Sequence, residues 1–161
     1  MTGIFVKKIW FVYSKEEIKI LTENFWAGFT MFCSHLDYLS GRDKKWILHR
    51  TKVKNVHLKF EPGRDAIRVI LEIMHRDETK RLEQFEKIER YKIVLEEGFE
   101  NGLIWDFAYR RENGQEVCRM YAEKKGLDWH RQSQWEEIYK FMAENMFRLE
   151  NNFLDIRELI N

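Results

Sequence analysis

The sequence contains very little proline and cysteine, no long apolar run and no excess of charge of either sign. Its 161 residues include one proline and two cysteines, which excludes a proline-rich linker between domains and a disulfide-dense secreted scaffold. No stretch approaches the roughly 18 apolar residues of a membrane-spanning helix or has the form of a secretory signal. The 28 basic side chains are balanced by 27 acidic ones, which predicts no general attraction to nucleic acid or to membranes.

The two cysteines, Cys33 and Cys118, can form one disulfide at most. We expect both to be buried, reduced thiols, because free cysteine is among the most buried residue types. Together with the missing secretory signal, this predicts a cytoplasmic protein.

Aromatic residues make up 15% of the chain, and 44% of all residues are hydrophobic. Such a composition requires a packed core, which excludes an intrinsically disordered protein. A chain of this length typically forms one domain. We therefore assign residues 13–161 to a single α+β domain and residues 1–12 to an N-terminal extension.

Three segments have the apolar period of an amphipathic helix. Ser14 followed by Glu17 forms a capping box, which predicts a first helix directly after it. Asp77 can cap a second helix, and Gly98 and Gly102 are the residues available to end it. Ser133 and Glu136 repeat the capping-box pattern before a third helix, which extends to the chain's end and can break at two consecutive asparagines.

Four shorter segments alternate apolar and polar residues, which is the period of a half-buried strand. Residues 56–60 and 67–73 are separated by a Pro-Gly pair and predict a first hairpin. Residues 103–110 and 117–123 flank Asn113-Gly114, the strongest short hairpin signal. The order α-ββ-α-ββ-α predicts a four-stranded antiparallel sheet built from two β-hairpins, with helices packed on one face. The sequence leaves the order of the strands open.

A two-residue loop at Asn113-Gly114 places residue 108 opposite 119 and residue 106 opposite 121. On this register one face carries apolar side chains, and we expect Trp105 and Phe107 to be buried there under helices. The other face carries polar side chains, for which weak ion pairs on a solvated surface are the simplest interpretation. These polar side chains are His57, Lys59, Arg68, Glu72, Asp106, Arg110, Arg119, Tyr121 and Glu123, with Lys125 at the strand's end.

Asp106, Glu123 and Lys125 on that polar face are the candidate catalytic residues. Two carboxylates and a lysine of this kind hold a divalent metal ion and assist water attack in PD-(D/E)XK nucleases. Such a Glu-x-Lys triplet often occurs by chance in a chain that is 34% charged, so we commit to no catalytic residue and no metal ligand. No histidine or cysteine pair has the spacing of a zinc site.

One segment departs from the neutral average, because seven basic residues and one acidic residue lie between Gly41 and Phe60. Basic groups beside an aromatic ring can bind phosphates and stack a base, as in proteins that bind single strands. A solubilising loop that also protects a strand edge explains the same charges. The candidate nucleic-acid-binding residues are Lys44, Lys45, Trp46, Arg50, Lys52 and Lys54.

The C-terminal helix has the opposite charge, with six acidic and three basic residues from Glu136 to Glu158. Docking of this helix on the basic segment of a second copy predicts a homodimer. The helix has more apolar side chains than one buried stripe requires, and the extra ones would form the apolar surface of such a contact. The alternative is that these side chains pack within the monomer. These side chains are Met142, Met146, Phe147 and Phe153.

A set of landmark residues spans most of the chain, namely Tyr13–Glu17, Asn24, Phe25, Trp26, Phe29, Trp46, Thr51, Lys52, Val56–Phe60, Glu72, Ile73, His75, Trp135, Ile138 and Phe141. This set resembles a bacterial and archaeal domain family of unknown function. Its members occur as free-standing proteins or on the C-terminal side of restriction-endonuclease-like domains. The resemblance implies a link to nucleic-acid processing or defence, and it transfers no catalytic residue.

We therefore expect a non-enzymatic binding or interaction module whose partner is a nucleic acid or a protein, without a membrane partner and without a cofactor. The alternative is a divergent metal-dependent nuclease of the PD-(D/E)XK type. Magnesium is expected in that case alone.

Overall fold

The computed structural model describes residues 13–41 and 51–161, which form an α+β fold as predicted. Within these residues, four α-helices accompany one four-stranded antiparallel sheet. The elements are α1 (Lys15–Ser34), a 3₁₀ turn (Asp37–Leu39), β1 (Val56–Pro62), β2 (Ala66–Ile73), α2 (Glu78–Glu89), α3 (Lys92–Leu95), β3 (Ile104–Arg110), β4 (Glu116–Lys125), a second 3₁₀ turn (Gln132–Gln134) and α4 (Trp135–Ile160).

The strands lie in the order β1-β2-β4-β3. Both predicted hairpins are present, and they join along their second strands, where Ile73 pairs with Cys118 and Ala66 pairs with Lys125. The central strands are therefore β2 and β4, and each hairpin contributes one outer strand. We call the junction between β2 and β4 the seam.

The described helices pack on one side of the sheet. Leu71 of β2 and Met120 of β4 are buried in one cluster with Leu149 and Phe153 of α4. A second cluster joins α1 to α4 and includes Ile67 at the start of β2. Alternation along the strands thus supplies the apolar face that the sequence predicts, and burial of this face is the main source of stability.

The apolar side chains proposed for a homodimer contact are used within the monomer. Met142, Met146 and Phe153 are buried, and Phe147 is half-buried with its ring 4.7 Å from that of Tyr38. The homodimer stays a prediction based on charge alone.

The first helix begins at the predicted capping box. Ser14 N–H donates to Glu17 Oε1 and Glu17 N–H donates to Ser14 Oγ, both over 3.1 Å. Further along α1, Gly28 lies against Tyr139 of α4, so that a Cβ at this position would overlap the phenol oxygen. That hydroxyl donates to Phe25 O over 2.7 Å, which ties the two helices together at their closest approach.

The predicted capping box at Ser133 is wrong. A 3₁₀ turn occupies residues 132–134, and α4 begins at Trp135 with no side-chain hydrogen bond from Gln134, the residue at its N-cap. The helix then runs without a break to Ile160.

The asparagine pair expected to break α4 includes a residue that binds another helix instead. Asn152 Nδ2 donates to Leu95 O over 2.9 Å and to Glu97 O over 2.8 Å. These carbonyls end α3, where no further helical N–H groups are available to them. A buried asparagine in α4 therefore replaces the missing donors of α3.

Asn152→Leu should lower the free energy of unfolding by about 1 to 3 kcal/mol, because it leaves two carbonyls without their donor in a buried setting. Urea unfolding of purified protein measures this difference. Asn151→Leu, on the preceding and less buried position of α4, is the matched control and should change stability much less. Equal losses in the two variants would contradict the role assigned to Asn152.

The second predicted helix is interrupted. α2 ends at Glu89 and α3 begins at Lys92, whereas the apolar period predicts one continuous helix. The interruption lets the chain turn so that Glu96 Oε2 accepts from Leu103 N–H over 2.6 Å and from Trp105 Nε1 over 3.0 Å. A carboxylate thus fixes the entry into β3, which the hydrophobic period alone does not indicate.

The predicted register of the second hairpin is also wrong. Asp106 lies opposite Arg119 and Tyr109 lies opposite Val117, with the register shifting between them. Five residues, 111–115, connect the strands instead of two. A β-bulge at Phe107 and Ala108 therefore inserts one extra residue into β3.

The bulge exchanges the faces of the residues that follow it. Tyr109 moves to the polar side with Arg119, and Arg110 moves to the opposite side, where its Nη2 lies 3.8 Å from Glu116 Oε2. Phe107, expected under the helices, is 59% exposed, and Trp105 is only half-buried. Alternation fails here because a bulge leaves no mark in the apolar period.

Both cysteines are buried and outside any disulfide, as predicted. Burial raises the pKa of the Cys118 thiol to about 11, so this thiol is a poor nucleophile. In the part of the chain that the structure describes, no helix combines the length and the apolar character needed to cross a membrane.

Candidate functional site

The sheet face opposite the helices carries the charged and aromatic side chains of the candidate site. We call it the polar face. It consists of alternate residues of all four strands, namely His57, Lys59, Glu61, Arg68, Ile70, Glu72, Ile104, Asp106, Tyr109, Val117, Arg119, Tyr121 and Glu123.

Glu72 lies at the centre of the polar face and is 0% exposed. Its Oε2 accepts from Arg119 Nε over 2.7 Å and lies 3.6 Å from Lys59 Nζ, while its Oε1 accepts from Arg111 Nη2. Burial alone would raise the pKa of Glu72, but the hydrogen bonds from Arg111 and Arg119 and the charge of Lys59 hold it below its ordinary range. Three cations from three parts of the chain therefore converge on one buried carboxylate.

Arg119 connects this carboxylate to a second one. The side chain of Arg119 is 2% exposed, and its two terminal nitrogens donate to Glu61 over 3.1 and 2.9 Å. Glu61 also accepts from Arg68 over 3.3 Å, and Arg68 Nε donates to Glu123 over 2.7 Å. We call this set of ion pairs the charge network. It crosses β1, β2 and β4, and it is a connected structure with Glu72 and Arg119 buried at its centre, instead of the fully solvated surface that the sequence predicts.

Tyr109 is positioned on the polar face by the bulge and by Arg119. The Arg119 guanidinium carbon lies 3.9 Å from the centre of the Tyr109 ring. The bulge itself is stabilised by Asp106 Oδ1, which accepts from Ala108 N–H over 3.0 Å, and by Cys118 Sγ, which lies 3.2 Å from Phe107 O. Since Arg119 is itself fixed by two glutamates, the tyrosine ring is held against a rigid cation.

A concavity of about 540 Å³ lies beside this ring, between β1 and the β3–β4 loop. Its volume is in the range of small-molecule and nucleotide sites. The lining residues are Lys59, Glu61, Gly63, Tyr109, Arg111, Glu112, Asn113 and Arg119.

Two of the lining cations are partly exposed. The Lys59 side chain is 35% exposed, with its Nζ 3.6 Å from Glu72 Oε2, and the Arg111 side chain is 22% exposed. Arg111 Nε itself is buried and has no hydrogen-bond partner among residues 13–41 and 51–161, which is unfavourable for a donor. An anionic ligand in the concavity would therefore contact the exposed parts of these two side chains.

The structure does not bring the candidate catalytic residues together. Asp106 pairs with Arg119, and Glu123 lies four residues further along β4, at a distance of about 13 Å for the usual rise of a strand. Carboxylates that share a metal ion must place their oxygens within about 2.6 Å of it. Glu123 is bound to Arg68, and Lys125 is exposed at the end of β4. Among the described residues, no group of three acidic, histidine or cysteine side chains could hold a metal ion.

The candidate nucleic-acid-binding residues are described only in part. Lys44, Lys45, Trp46 and Arg50 lie outside the described residues. Lys52 and Lys54 are both exposed, in the loop that leads into β1.

This loop has a defined conformation. Thr51 Oγ1 donates to Val56 O over 2.6 Å and accepts from Val53 N–H over 3.1 Å, and Gln84 of α2 donates to Lys54 O over 3.0 Å. Lys52 has a φ of 63°, in the left-handed region that side chains rarely adopt. The loop therefore presents two lysines from a fixed backbone.

A comparison with protein families gives one match, which covers residues 21–157 and is described as "Domain of unknown function (DUF4268)". The chain belongs to this family. The DUF4268 match spans both hairpins, most of α1 and nearly all of α4, so it covers the whole sheet and most of its helical layer. The resemblance seen in the sequence is thus confirmed as a domain of unknown function.

No curated protein matches the DUF4268 chain, and no solved structure matches it. The chemistry of the site must therefore be argued from its own residues. Sequence reasoning identified most charged polar-face residues individually, but it missed Glu61, Tyr109 and Arg111. To find Tyr109 from the sequence, the bulge would have to be predicted. To find Arg111, the five-residue length of the β3–β4 loop would have to be predicted.

Proposed function

We propose that this protein is a non-enzymatic module that binds single-stranded nucleic acid across the polar face of its sheet. The observation that carries the proposal is the concavity that Lys59, Arg111 and Arg119 line together with a fixed aromatic ring, that of Tyr109. Cations bind the phosphate backbone, and an aromatic side chain on an exposed sheet binds bases.

The distribution of charge supports an anionic partner such as a nucleic acid over a basic or apolar protein surface. From Thr51 to Phe60 the chain has three lysines and no acidic residue. Lys52 and Lys54 are exposed, and Lys59 lines the concavity. Glu61 and Glu72 are bound to Arg119 in the charge network, so these charges offset one another, and Glu112 also lines the concavity. The local excess of positive charge therefore comes from the three lysines before and along β1, although the whole chain is nearly neutral.

The resemblance described in the sequence analysis adds support of a different kind, because it implies a link to nucleic-acid processing or defence. A binding module beside a nuclease needs affinity for the strand and no catalytic group of its own. Asp106 and Glu123, which are about 13 Å apart along the strands, fit the binding role better than the catalytic one.

The proposal predicts salt-dependent binding of labelled oligothymidylate and oligouridylate, measured by fluorescence anisotropy. Replacing Lys52, Lys54 and Lys59 together by glutamine should weaken binding to all sequences alike, because phosphate contacts carry no base information. Each lost phosphate contact should reduce the slope of log affinity against log salt by about 0.7.

Lys15→Gln with Lys19→Gln is the matched control, since both lysines are exposed on α1, on the helical side of the molecule. This variant should keep the slope of the unaltered protein. Absence of salt-dependent binding at micromolar protein concentration, or an equal loss in the control variant, would overturn the proposal and leave a protein partner as the remaining interpretation.

A further inference from the structure

We propose that the concavity binds one nucleotide of the strand, with its base stacked on Tyr109 and its phosphate held by Lys59 and Arg111. This inference rests on the proposed function, and it assigns the part of the site that recognises bases to one residue. It therefore separates base stacking from the general attraction of phosphates to lysines.

Tyr109 has the geometry of a stacking platform. One face of its ring lies against the Arg119 guanidinium, at 3.9 Å, and Tyr109 also lines the concavity. Since one face is covered by Arg119 and the residue is only half-buried, we assign the base to the other face of the ring. Because Arg119 is fixed by Glu61 and Glu72, the ring is ordered before a ligand binds, and little conformational entropy is lost on stacking.

The phosphate position follows from the two partly exposed cations that line the concavity with Tyr109. The Lys59 side chain is 35% exposed, with its Nζ 3.6 Å from Glu72 Oε2, and the Arg111 side chain is 22% exposed. Both residues line the same concavity as Tyr109, on opposite sides of it, because Lys59 is on β1 and Arg111 begins the β3–β4 loop. A phosphate between them would receive charge-assisted hydrogen bonds while the attached base reaches the ring.

The position of Tyr109 gives a reason for the bulge in β3. Without the extra residue at Phe107 and Ala108, strict alternation would place Tyr109 on the helical side of the sheet with Trp105. Asp106 and Cys118 both contact the backbone of the bulge. Bulges commonly redirect a side chain at a functional site, and here the redirected side chain is the only tyrosine that lines the concavity among the described residues.

The test compares two ligands and two variants. Tyr109→Leu should weaken binding of oligothymidylate by roughly 5- to 150-fold, the range expected for the loss of one stacked base. Tyr109→Phe keeps the ring and should stay within about twofold of the unaltered protein, because stacking needs no hydroxyl. An abasic oligomer of equal length has the phosphates without the bases, and its affinity should be the same in all three proteins.

A second measurement uses the unaltered protein, since loss of the ring against Arg119 could destabilise Tyr109→Leu. Oligouridylate containing 5-iodouridine should crosslink to Tyr109 on ultraviolet irradiation, with the site identified by mass spectrometry. Binding with crosslinks at other residues, or equal weakening of the abasic oligomer in Tyr109→Leu, would overturn the stacking site and leave the proposed function intact. Failure of both oligomers to bind would overturn the proposed function itself.

Discussion

Glu72→Gln should lower the free energy of unfolding by about 3 to 5 kcal/mol, the range for breaking a buried ion pair by removing one partner. Glu72 is fully buried, and it compensates Arg111, Arg119 and Lys59 together. A neutral amide leaves these cations close to one another with only Glu61 to offset them. Urea unfolding followed by circular dichroism measures the loss.

The matched control for Glu72 is Glu137→Gln, which removes an exposed ion pair with Lys124 at 3.0 Å. Exposed pairs of this kind contribute at most about 1 kcal/mol. Similar losses in the two variants would show that the charge network contributes no more than an ordinary surface pair.

The difference in stability between the unaltered protein and Glu72→Gln should depend on pH. Because the pKa of Glu72 in the folded protein lies below its ordinary value of 4.5, the ionised carboxylate stabilises the fold above that value. As the pH falls through the folded-state pKa, protonation of Glu72 removes this contribution. The difference in stability between the unaltered protein and Glu72→Gln should therefore be constant near neutral pH and become smaller below 4.5.

Phe25→Ala should lower the free energy of unfolding by about 3 to 5 kcal/mol, because it removes a large side chain from the centre of a packed cluster. Phe25 is 0% exposed, and its ring centre lies 5.1 to 5.6 Å from the ring centres of four other aromatic residues. The expected loss is a large part of the 5 to 15 kcal/mol, roughly, that stabilises an ordinary domain. The four neighbours are Trp26, Trp129, Trp135 and Tyr139.

Ile20→Ala is the control for Phe25, since Ile20 lies on the same helix and is 49% exposed. Surface substitutions of this kind usually change stability by less than about 0.5 kcal/mol. Thermal unfolding of the two variants should thus show a large decrease in Tm for Phe25→Ala alone. A Phe25→Ala protein as stable as Ile20→Ala would mean that the aromatic cluster does not anchor α1 to α4.

The sequence was sufficient for one helix cap and for the first hairpin, which depend on neighbouring residues. The capping box at Ser14 and Glu17 predicts the start of α1, and alternation over residues 56–60 and 67–73 predicts the first hairpin. Both are present in the structure. These signals work because helix caps and hairpins are stabilised by contacts within a few residues.

Features that depend on distant residues were not predictable in the same way. The polar side chains at Glu72 and Arg119 were placed on the correct face, but their burial arises only when the two hairpins join. Asn152 has the pattern of a helix breaker, and its role is visible only when the carbonyls of α3 lie beside it. The candidate site could not be predicted either, because Tyr109 lies on the polar face as a result of the bulge, whereas alternation would place it on the other face.

The strand order of the sheet also determines how chain entropy opposes folding. Within the first hairpin, Pro62 pairs with Ile67, only five positions away, whereas across the seam Ile73 pairs with Cys118, which is 45 positions away. A loop nine times longer costs about 2 kcal/mol more in closure entropy. The hairpins can form locally at small cost, but every hydrogen bond between Glu72 and Arg119 requires the long loop to be closed first. The charge network can therefore stabilise only a chain that has already joined its two halves.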